Sequence, residues 1–375
     1  MKLPDDIHNK TLKTIARKVM EHIPVNRDDT FEMLTTTDIT ELGAIANHIR
    51  THYHGNTTYY SVNMNLNYTN VCTLRCPLCA FSCDPGDKQA FVLSMDDIEK
   101  RVSKAVGDGI DEVHIVGGLH PDLTLDYFEE MLRKIKRIKP NLVIVGFTAV
   151  EYDHFSKINR LGVEEVLRRL IDAGVGAIPG GGAEIFSPRV RKIIAPDKIT
   201  GKRWLSIMGA AHGMGLKTNA TLLYNHVENT EDIVDHLFRI RELQDETGGF
   251  KTFVPLQFHG ANTRILSKRR SSTGYEDIRI FATARIVLNN IIHLKALWMY
   301  LGEKMAQILQ QFGVDDIGGT YMNEKVVHAA GAETSDYGTE TFLRRMIEES
   351  GMIPIRTTAD YQNGFFPALN VTEGQ

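Results

Sequence analysis

Residues 61–83, SVNMNLNYTNVCTLRCPLCAFSC, contain the strand and the loop that decide the fold. In residues 61–68 the side chains alternate between two faces. One face carries Val62, Met64, Leu66 and Tyr68, and the other carries Ser61, Asn63, Asn65 and Asn67. This period of two predicts a β-strand with one apolar face, and the asparagines on its other face would suit a polar cavity. The cysteines follow directly, so we place them on the loop after the C-terminal end of the strand.

Beyond the cysteine loop, helix and strand patterns alternate along the chain. A helix is predicted to begin around residues 94–97, where Ser94 is a good N-cap. Further strands are predicted at 113–116, 142–148, 175–179, 217–224, 251–258 and 291–298, with a weaker one near 314–320. Helices are predicted at 126–138, 163–173, 201–214, 230–246, 276–289, 303–312 and 339–349. This α/β alternation predicts a parallel sheet, and seven or eight strands favour a closed (β/α) barrel of the TIM type over an open doubly wound sheet.

The chain is longer than a barrel alone requires. A domain with a single hydrophobic core rarely exceeds about 250–300 residues, whereas this chain has 375. Two helical patterns, at 12–23 and 39–49, precede the first strand. We therefore expect an N-terminal helical extension over residues 1–55, the barrel over 56–325, and a C-terminal helix and tail over 326–375 that pack on the barrel.

Composition narrows the class of protein. The chain has 43 basic and 47 acidic residues, a net charge of −4, and 42% hydrophobic residues. These values are typical of globular proteins and give no support for a nucleic-acid-binding surface. No apolar run approaches the ~18–20 residues that span a bilayer, and MKLPDDIHNK lacks the apolar core of a secretory signal. We expect a cytoplasmic protein with neither a nucleic-acid nor a membrane partner.

Four cysteines, Cys72, Cys76, Cys79 and Cys83, lie within twelve residues, and the rest of the chain has none. A disulfide framework would scatter its cysteines to join distant segments, so this cluster indicates ligands for a soft metal centre. Three thiolates at the spacing Cys-x3-Cys-x2-Cys can hold three irons of a [4Fe–4S] cluster and leave the fourth iron open to a small molecule. A zinc site with Cys83 as fourth ligand, as in a zinc-barrel hydrolase, and a non-catalytic iron–sulfur sensor remain as alternatives.

If the barrel forms, several polar and glycine-rich segments should meet at one mouth. In (β/α) barrels the site lies at the C-terminal ends of the strands. The segments at the C-terminal ends of predicted strands are Gly117-Gly118, Thr148, Gly180–Glu184, Asn225-His226 and His259. Adjacent glycines allow a backbone to approach a ligand closely.

The cysteine spacing resembles that of the radical S-adenosylmethionine (SAM) superfamily. The resemblance implies that Cys72, Cys76 and Cys79 hold a [4Fe–4S] cluster and that SAM chelates the open iron. It also implies SAM contacts in the cysteine loop and at strand ends, namely Ala80, Phe81, Gly117, Gly118, Thr148 and Glu184. Gly117-Gly118 would meet the methionine end of SAM, although the acidic third residue usual in that motif is Leu119 here. Glu184 would accept hydrogen bonds from the ribose hydroxyls.

The segments GGLHPDL, FTAVE, PGGGAEIF, NATLLYNH, ELQDETGGF and DDIGGT resemble the futalosine branch of menaquinone biosynthesis. Two enzyme families of that branch share many of these motifs, the aminofutalosine synthases and the dehypoxanthine futalosine cyclases, and the deazaflavin-cofactor synthases are more distant. Pro179 and the segments 219–221, 254–256 and 295–298 look more like the synthases. That resemblance implies addition of the 5′-deoxyadenosyl radical to 3-[(1-carboxyvinyl)oxy]benzoate, with loss of a carboxylate as bicarbonate, to give 6-amino-6-deoxyfutalosine.

Such a reaction sets requirements for the rest of the site. The substrate has two carboxylates, so we expect cations or oriented donors. His226 and His259 are the candidate catalytic residues, with Arg264 and Lys295 as further candidates. Asn63, Asn65 and Asn219 could line the cavity, and Tyr68, Phe258 and Trp298 could form apolar walls. An electron donor such as flavodoxin or ferredoxin is implied as a partner.

Overall fold

A computed structural model describes residue 3 and residues 5–265 and 272–361 of the chain. Its strands are β1 Thr57–Ser61, β2 Asn63–Leu66, β3 Glu112–Ile115, β4 Val143–Gly146, β5 Ala177–Ile178, β6 Lys217–Tyr224, β7 Phe250–Gln257, β8 His293–Leu294, β9 Asp316–Gly319 and β10 Ile353–Arg356. Strands β2 to β8 form one parallel sheet in chain order, and a second sheet has the order β10-β1-β9.

Helices cover the outside of the sheet. They are α1 Lys10–Met20, α2 Arg27–Thr35, α3 Ile39–His54, α4 Met95–Gly107, α5 Leu125–Ile138, α6 Ala149–Asn159, α7 Val163–Ala173, α8 Pro188–Ile194, α9 Gly201–Gly213, α10 Thr230–Thr247, α11 Gly274–Val287, α12 Trp298–Leu301, α13 Glu303–Leu309, α14 Val326–Ala330 and α15 Glu340–Glu348. In the described ranges, no helix combines the length and the apolar character that crossing a membrane requires.

Strand β9 closes the ring of strands. On one side, the backbone N–H of Ala296, just after β8, donates to the Asp316 carbonyl at 2.8 Å. On the other side, β9 pairs in parallel with β1, and the N–H of Met322 donates to the Asn63 carbonyl at 3.3 Å. The predicted (β/α) barrel is therefore confirmed, and its eighth position is filled by the strand that the sequence predicted only weakly.

The structure divides or shortens some predicted strands. The predicted strand 61–68 is two strands, β1 and β2, which pair with different neighbours on either side of Val62. The alternation still holds in part, since Met64, Leu66 and Tyr68 are fully buried in the core. The predicted strand 291–298 pairs with β7 only at His293 and Leu294. The next residues bond to β9 instead, through the Ala296 N–H, and α12 begins at Trp298.

Both ends of the described chain attach to the barrel. Arg50, on α3, is fully buried and donates to the carbonyls of Val314, Gly55 and Thr57 at 2.7–2.9 Å. At the other end, β10 pairs in parallel with β1. Tyr361 then stacks on His293 at 3.6 Å. The division into residues 1–55, 56–325 and 326–375 remains a proposal about domains.

Candidate functional site

Three of the four cysteines line one small cavity at the C-terminal end of β2. Cys72, Cys76 and Cys79 share this cavity of about 190 Å³ with Gly117 and Gly118. The loop is fixed by its backbone, since the N–H of Cys79 donates to the Cys76 carbonyl at 3.0 Å. Burial raises the pKa of the Cys76 thiol, while the Lys198 ammonium opposes that shift.

Cys83 occupies a different place. Its backbone pairs with the start of the loop, because the Cys72 N–H donates to the Cys83 carbonyl at 3.1 Å. Its side chain is only 1% exposed, and it is not among the residues that line the cavity of the other three. Three converging thiols with a fourth set apart fit a [4Fe–4S] cluster with one open iron better than a four-thiolate zinc site.

The absence of side chains at Gly117 and Gly118 allows another group to approach their backbone closely. In this structure the group that does so is an earlier segment of the same chain. A Cβ at Gly118 would collide with the backbone carbonyl of Val71, and a Cβ at Gly117 would lie 2.7 Å from the Tyr68 ring. The Gly118 N–H also donates to the Thr69 carbonyl at 2.9 Å. These contacts hold the glycine pair against the base of the cysteine loop, so both segments face the cavity together.

Glu151 holds the glycine pair from the other side, and sequence reasoning missed it. Its carboxylate is 1% exposed and accepts hydrogen bonds from the Gly117 N–H at 3.0 Å and the Tyr68 hydroxyl at 2.8 Å. It also accepts from the Thr148 N–H at 2.7 Å, in the capping box that starts α6. Burial raises the pKa of Glu151 to about 7, against these hydrogen bonds. The Thr-x-x-Glu signature of a capping box was the available signal.

The glycine-rich loop after β5 carries a buried ion pair. Glu184, with a left-handed φ of 45°, accepts from the Lys198 ammonium at 2.6 Å. Burial alone would lower the pKa of Lys198, but Glu184 and Cys76 outweigh it and raise that pKa. The buried Arg191 guanidinium holds the loop by donating to the carbonyls of Ala183 and Ile185 at 2.7 and 3.2 Å. No sequence motif indicated Lys198 or Arg191.

A larger cavity of about 350 Å³ adjoins the cysteine cavity inside the barrel mouth. Cys79, Thr148 and Lys198 line both cavities, so the two are neighbours. Other predicted residues that line the larger cavity are Asn65, Ala80, Glu184, Asn219, Phe258, His259 and Lys295. Phe81 lines the cysteine cavity instead.

The two candidate histidines lie in different environments. His259 lines the larger cavity, and its Nε2 contacts the Tyr300 carbonyl at 2.9 Å. Burial lowers the pKa of His259, which favours the neutral ring. His226 is 2% exposed and does not line that cavity; its Nδ1 lies 2.9 Å from Glu228 Oε2.

Four other predicted residues lie away from the larger cavity. Arg264 contacts the Arg75 carbonyl. The Trp298 indole donates to the Gly319 carbonyl at 2.9 Å. The Tyr68 hydroxyl donates to Glu151 beneath the glycine pair. Asn63 Oδ1 accepts from the Tyr321 N–H at 2.8 Å. These placements favour structural roles for all four.

Comparison with known proteins agrees with this geometry. Residues 66–240 match the Radical SAM superfamily, and residues 247–368 match the CofH/MqnC C-terminal region. The chain is 39% identical to an aminodeoxyfutalosine synthase of Thermus thermophilus, over 95% of this chain and 96% of that protein. It is 34% identical to a cyclic dehypoxanthine futalosine synthase of Streptomyces coelicolor, over 90% of this chain and 85% of that protein.

A solved structure supports the fold. Methylornithine synthase (PylB) superposes with a TM-score of 0.72 at 17% identity, covering 91% of this chain and 97% of that chain. The cysteine loop, the barrel and the two matched regions lead to the same assignment. The chain belongs to the radical SAM enzymes, in the family that has the CofH/MqnC C-terminal region and includes the aminodeoxyfutalosine synthases.

Proposed function

We propose that this protein is an aminofutalosine synthase. It would join the 5′-deoxyadenosyl group of SAM to 3-[(1-carboxyvinyl)oxy]benzoate and release one carboxylate as bicarbonate, giving 6-amino-6-deoxyfutalosine for menaquinone biosynthesis. Enzymes of this superfamily use a [4Fe–4S] cluster and SAM, which together supply the adenosyl radical when bound. We infer that Cys72, Cys76 and Cys79 hold the cluster.

The observation that carries the proposal is the contact between the two cavities. Cys79, Thr148 and Lys198 line both of them, so a group bound at the cysteines directly faces a molecule in the larger cavity. A radical addition requires reacting atoms within roughly 3–3.5 Å of each other. Adjoining cavities provide that proximity without a channel between them.

The residues around the junction have separate tasks in this proposal. The Lys198 ammonium, held by Glu184, offers a positive charge to a carboxylate. Glu151 fixes the glycine pair, while Ala80, Phe81 and Glu184 are proposed to contact the nucleoside of SAM. The apolar side chains of Val254, Leu256 and Leu297 line the larger cavity and exclude water from a reactive site.

His259 is the better placed of the two candidate catalytic histidines. It lines the larger cavity, and its lowered pKa suits a neutral ring that can accept a proton. His226 is buried beside Glu228, so we propose that it orders the turn after β6 and takes no part in proton transfer. A one-electron donor such as flavodoxin or ferredoxin would serve the cluster.

An isotope experiment tests the proposed reaction. SAM labelled in its ribose is supplied to the anaerobically purified protein with 3-[(1-carboxyvinyl)oxy]benzoate and a reductant. The synthase places the label in a product that carries both adenine and the benzoate ring. Label found only in 5′-deoxyadenosine, without such a product, would contradict the synthase.

The relative from Streptomyces coelicolor gives a second candidate, the dehypoxanthine futalosine cyclase. That reaction begins with hydrogen abstraction, so its label would appear in 5′-deoxyadenosine, and turnover would require dehypoxanthine futalosine. Running both substrates in parallel separates the two activities and leaves the cluster assignment unaffected.

A further inference from the structure

Residues 357–361, the C-terminal segment, lie across the floor of the barrel, where its strands begin. Glu112 is the first residue of β3, and its Oε2 accepts from the Ala359 N–H at 2.6 Å. Lys251 is the second residue of β7, and its ammonium donates to the Ala359 carbonyl. Ala359 is therefore bonded to the start of two strands, through its N–H and through its carbonyl.

Tyr361 continues the C-terminal segment under the neighbouring strands. Its ring stacks on His293, the first residue of β8, with the ring centroids 3.6 Å apart. Its hydroxyl accepts from the Thr252 hydroxyl at 3.0 Å. The same hydroxyl donates to Oδ2 of Asp316, the first residue of β9, at 2.6 Å. Tyr361 is only 2% exposed, so the barrel encloses both its ring and its hydroxyl.

Two carboxylates connect the C-terminal segment to the larger cavity. Glu112 Oε1 lies 2.9 Å from His114 Nε2, and Asp316 Oδ2 lies 3.1 Å from Lys295 Nζ. His114 and Lys295 both line the larger cavity. Each carboxylate thus bonds the C-terminal segment on one side and a cavity-lining side chain on the other.

The position of the Lys295 ammonium depends on how Asp316 is shared. Its distance of 3.1 Å from Oδ2 exceeds the separation of about 2.7–2.9 Å in a close charge-assisted hydrogen bond. The Tyr361 hydroxyl, at 2.6 Å, is the nearer donor to that oxygen. Groups at this end of a (β/α) barrel usually serve stability alone, but here the hydroxyl limits how far a cavity-lining cation is drawn toward its carboxylate.

We propose that Tyr361 is a positioning residue for the reaction, which sets the place of the Lys295 ammonium in the cavity wall through Asp316. The link through Glu112 does the same for the His114 ring. The C-terminal segment thereby supports substrate binding from below, without contacting the substrate. This inference rests on the proposed function only in that it takes the larger cavity as the place where the substrate binds.

Tyr361→Phe tests the link, because it removes the hydroxyl and keeps the ring that stacks on His293. Asp316 Oδ2 then loses its nearer donor and should draw the Lys295 ammonium away from the cavity. Steady-state kinetics should show a KM for 3-[(1-carboxyvinyl)oxy]benzoate raised on the order of 10-fold, with kcat and the KM for SAM close to the parent values. Adding Tyr361→Phe to Lys295→Met should change nothing further, because the hydroxyl acts only through that ammonium.

Thr252→Val is the matched control. It removes the other hydrogen bond of the Tyr361 hydroxyl and keeps the bond to Asp316, so a loss of stability should appear without a rise in KM. If Tyr361→Phe does not fold, the second link decides. Glu112→Gln should raise the same KM, since a carboxamide has one acceptor oxygen where the carboxylate has two, and the rise should vanish in a His114→Ala background.

Three results would overturn the inference and leave the synthase standing. They are an unchanged substrate KM in folded Tyr361→Phe, the same fold-change of KM when Tyr361→Phe is added to Lys295→Met, and an equal rise of KM in Thr252→Val. If the unaltered chain does not turn over 3-[(1-carboxyvinyl)oxy]benzoate, the proposed function fails. The same comparisons with dehypoxanthine futalosine as substrate then decide the positioning role separately.

Discussion

Lys198 and Glu184 form a buried pair at the junction of the two cavities. Lys198 Nζ lies 2.6 Å from Glu184 Oε1, and their side chains are 14% and 10% exposed. The sequence drew attention to Glu184 through the glycine-rich loop, but Lys198 lies in an ordinary turn before α9. Glu184 is therefore already engaged by a cation, and the SAM contact proposed for Glu184 would depend on the position of Lys198.

Replacing Glu184 should thus affect the fold as well as the cofactor. Glu184→Ala leaves the buried Lys198 charge unpaired, which should lower the free energy of unfolding by about 3–5 kcal/mol. Adding Lys198→Met should restore a good part of that loss, because no uncompensated charge remains. Denaturant unfolding of the parent, both single variants and the double variant measures the coupling. Equal stability of Glu184→Ala and the double variant would contradict the pair.

The four cysteines provide an internal comparison. Alanine at Cys72, Cys76 or Cys79 should remove or deplete the brown absorbance of the cluster, since each thiol lines the cysteine cavity. Cys83→Ser should keep both the absorbance and most of the turnover, because its thiol is buried elsewhere. Metal analysis and an absorbance spectrum under anaerobic conditions check these results. A full cluster in any of the first three variants, or its loss in Cys83→Ser, would count against the assignment.

At the scale of elements, the loop after β3 and the start of α6 support the cysteine loop from two sides. Gly118 contacts the backbone of Val71, and Glu151 binds the Gly117 N–H from the first turn of α6. The resemblance in the sequence implied that the glycines meet the methionine end of SAM, and that contact stays a prediction. The structure shows a role in packing, because the Val71 backbone leaves no space for a Cβ at Gly118 and the Tyr68 ring leaves none at Gly117.

Gly118→Ala should therefore disturb the cysteine loop itself. The new methyl group would displace the Val71 carbonyl, so we expect lower cluster occupancy together with a lower melting temperature. Gly107→Ala is the matched control, since nothing lies within 4 Å of its Cβ position at the end of α4. Measuring the iron content and the melting temperature of both variants tests this prediction. Normal cluster content in Gly118→Ala would show that the loop tolerates the added group.

Periodic elements could be predicted from the sequence, and irregular ones could not. The capping box at Ser94 and the apolar stripe of α5 appear in the local pattern, and both elements were found. Helix α6 was missed because Ala149 to Asp153 are all buried, which erases the 3.6-residue period. Of the site, the cysteines and glycines follow from spacing, whereas Lys198 depends on how a remote turn folds across the mouth.

At the scale of the whole molecule, one buried charge cluster joins the N-terminal helices to the closing strands. Asp315, just before β9, accepts from Arg285 of α11 and contacts His293 Nδ1 at 2.6 Å. His54, the last residue of α3, lies 3.5 Å from the same carboxylate. These groups lie under the barrel, away from the cysteine loop, so their titration reports on the fold independently of the site.

The His54 ring should make stability depend on pH. Burial lowers the pKa of His54 to about 4, against the attraction of Asp315, whereas an unfolded histidine titrates near ~6.5. Between these values the unfolded chain binds the extra proton, so stability is lost as pH falls from about 6.5 to about 4. The difference corresponds to at most about 3 kcal/mol.

His54→Gln removes this titration while keeping an N–H donor for the Ile292 carbonyl, which His54 Nε2 contacts at 3.0 Å. Denaturant unfolding at several pH values should show a shallower loss of stability in the variant below pH 6.5, and parallel curves above it.

The raised pKa of Glu151 acts in the opposite direction over part of this range. Because Glu151 is present in both proteins, it cancels from their difference. His52→Gln, at an exposed position of the same helix, should follow the parent curve. A His54→Gln curve that runs parallel to the parent across the whole range would mean that the buried ring does not control acid stability.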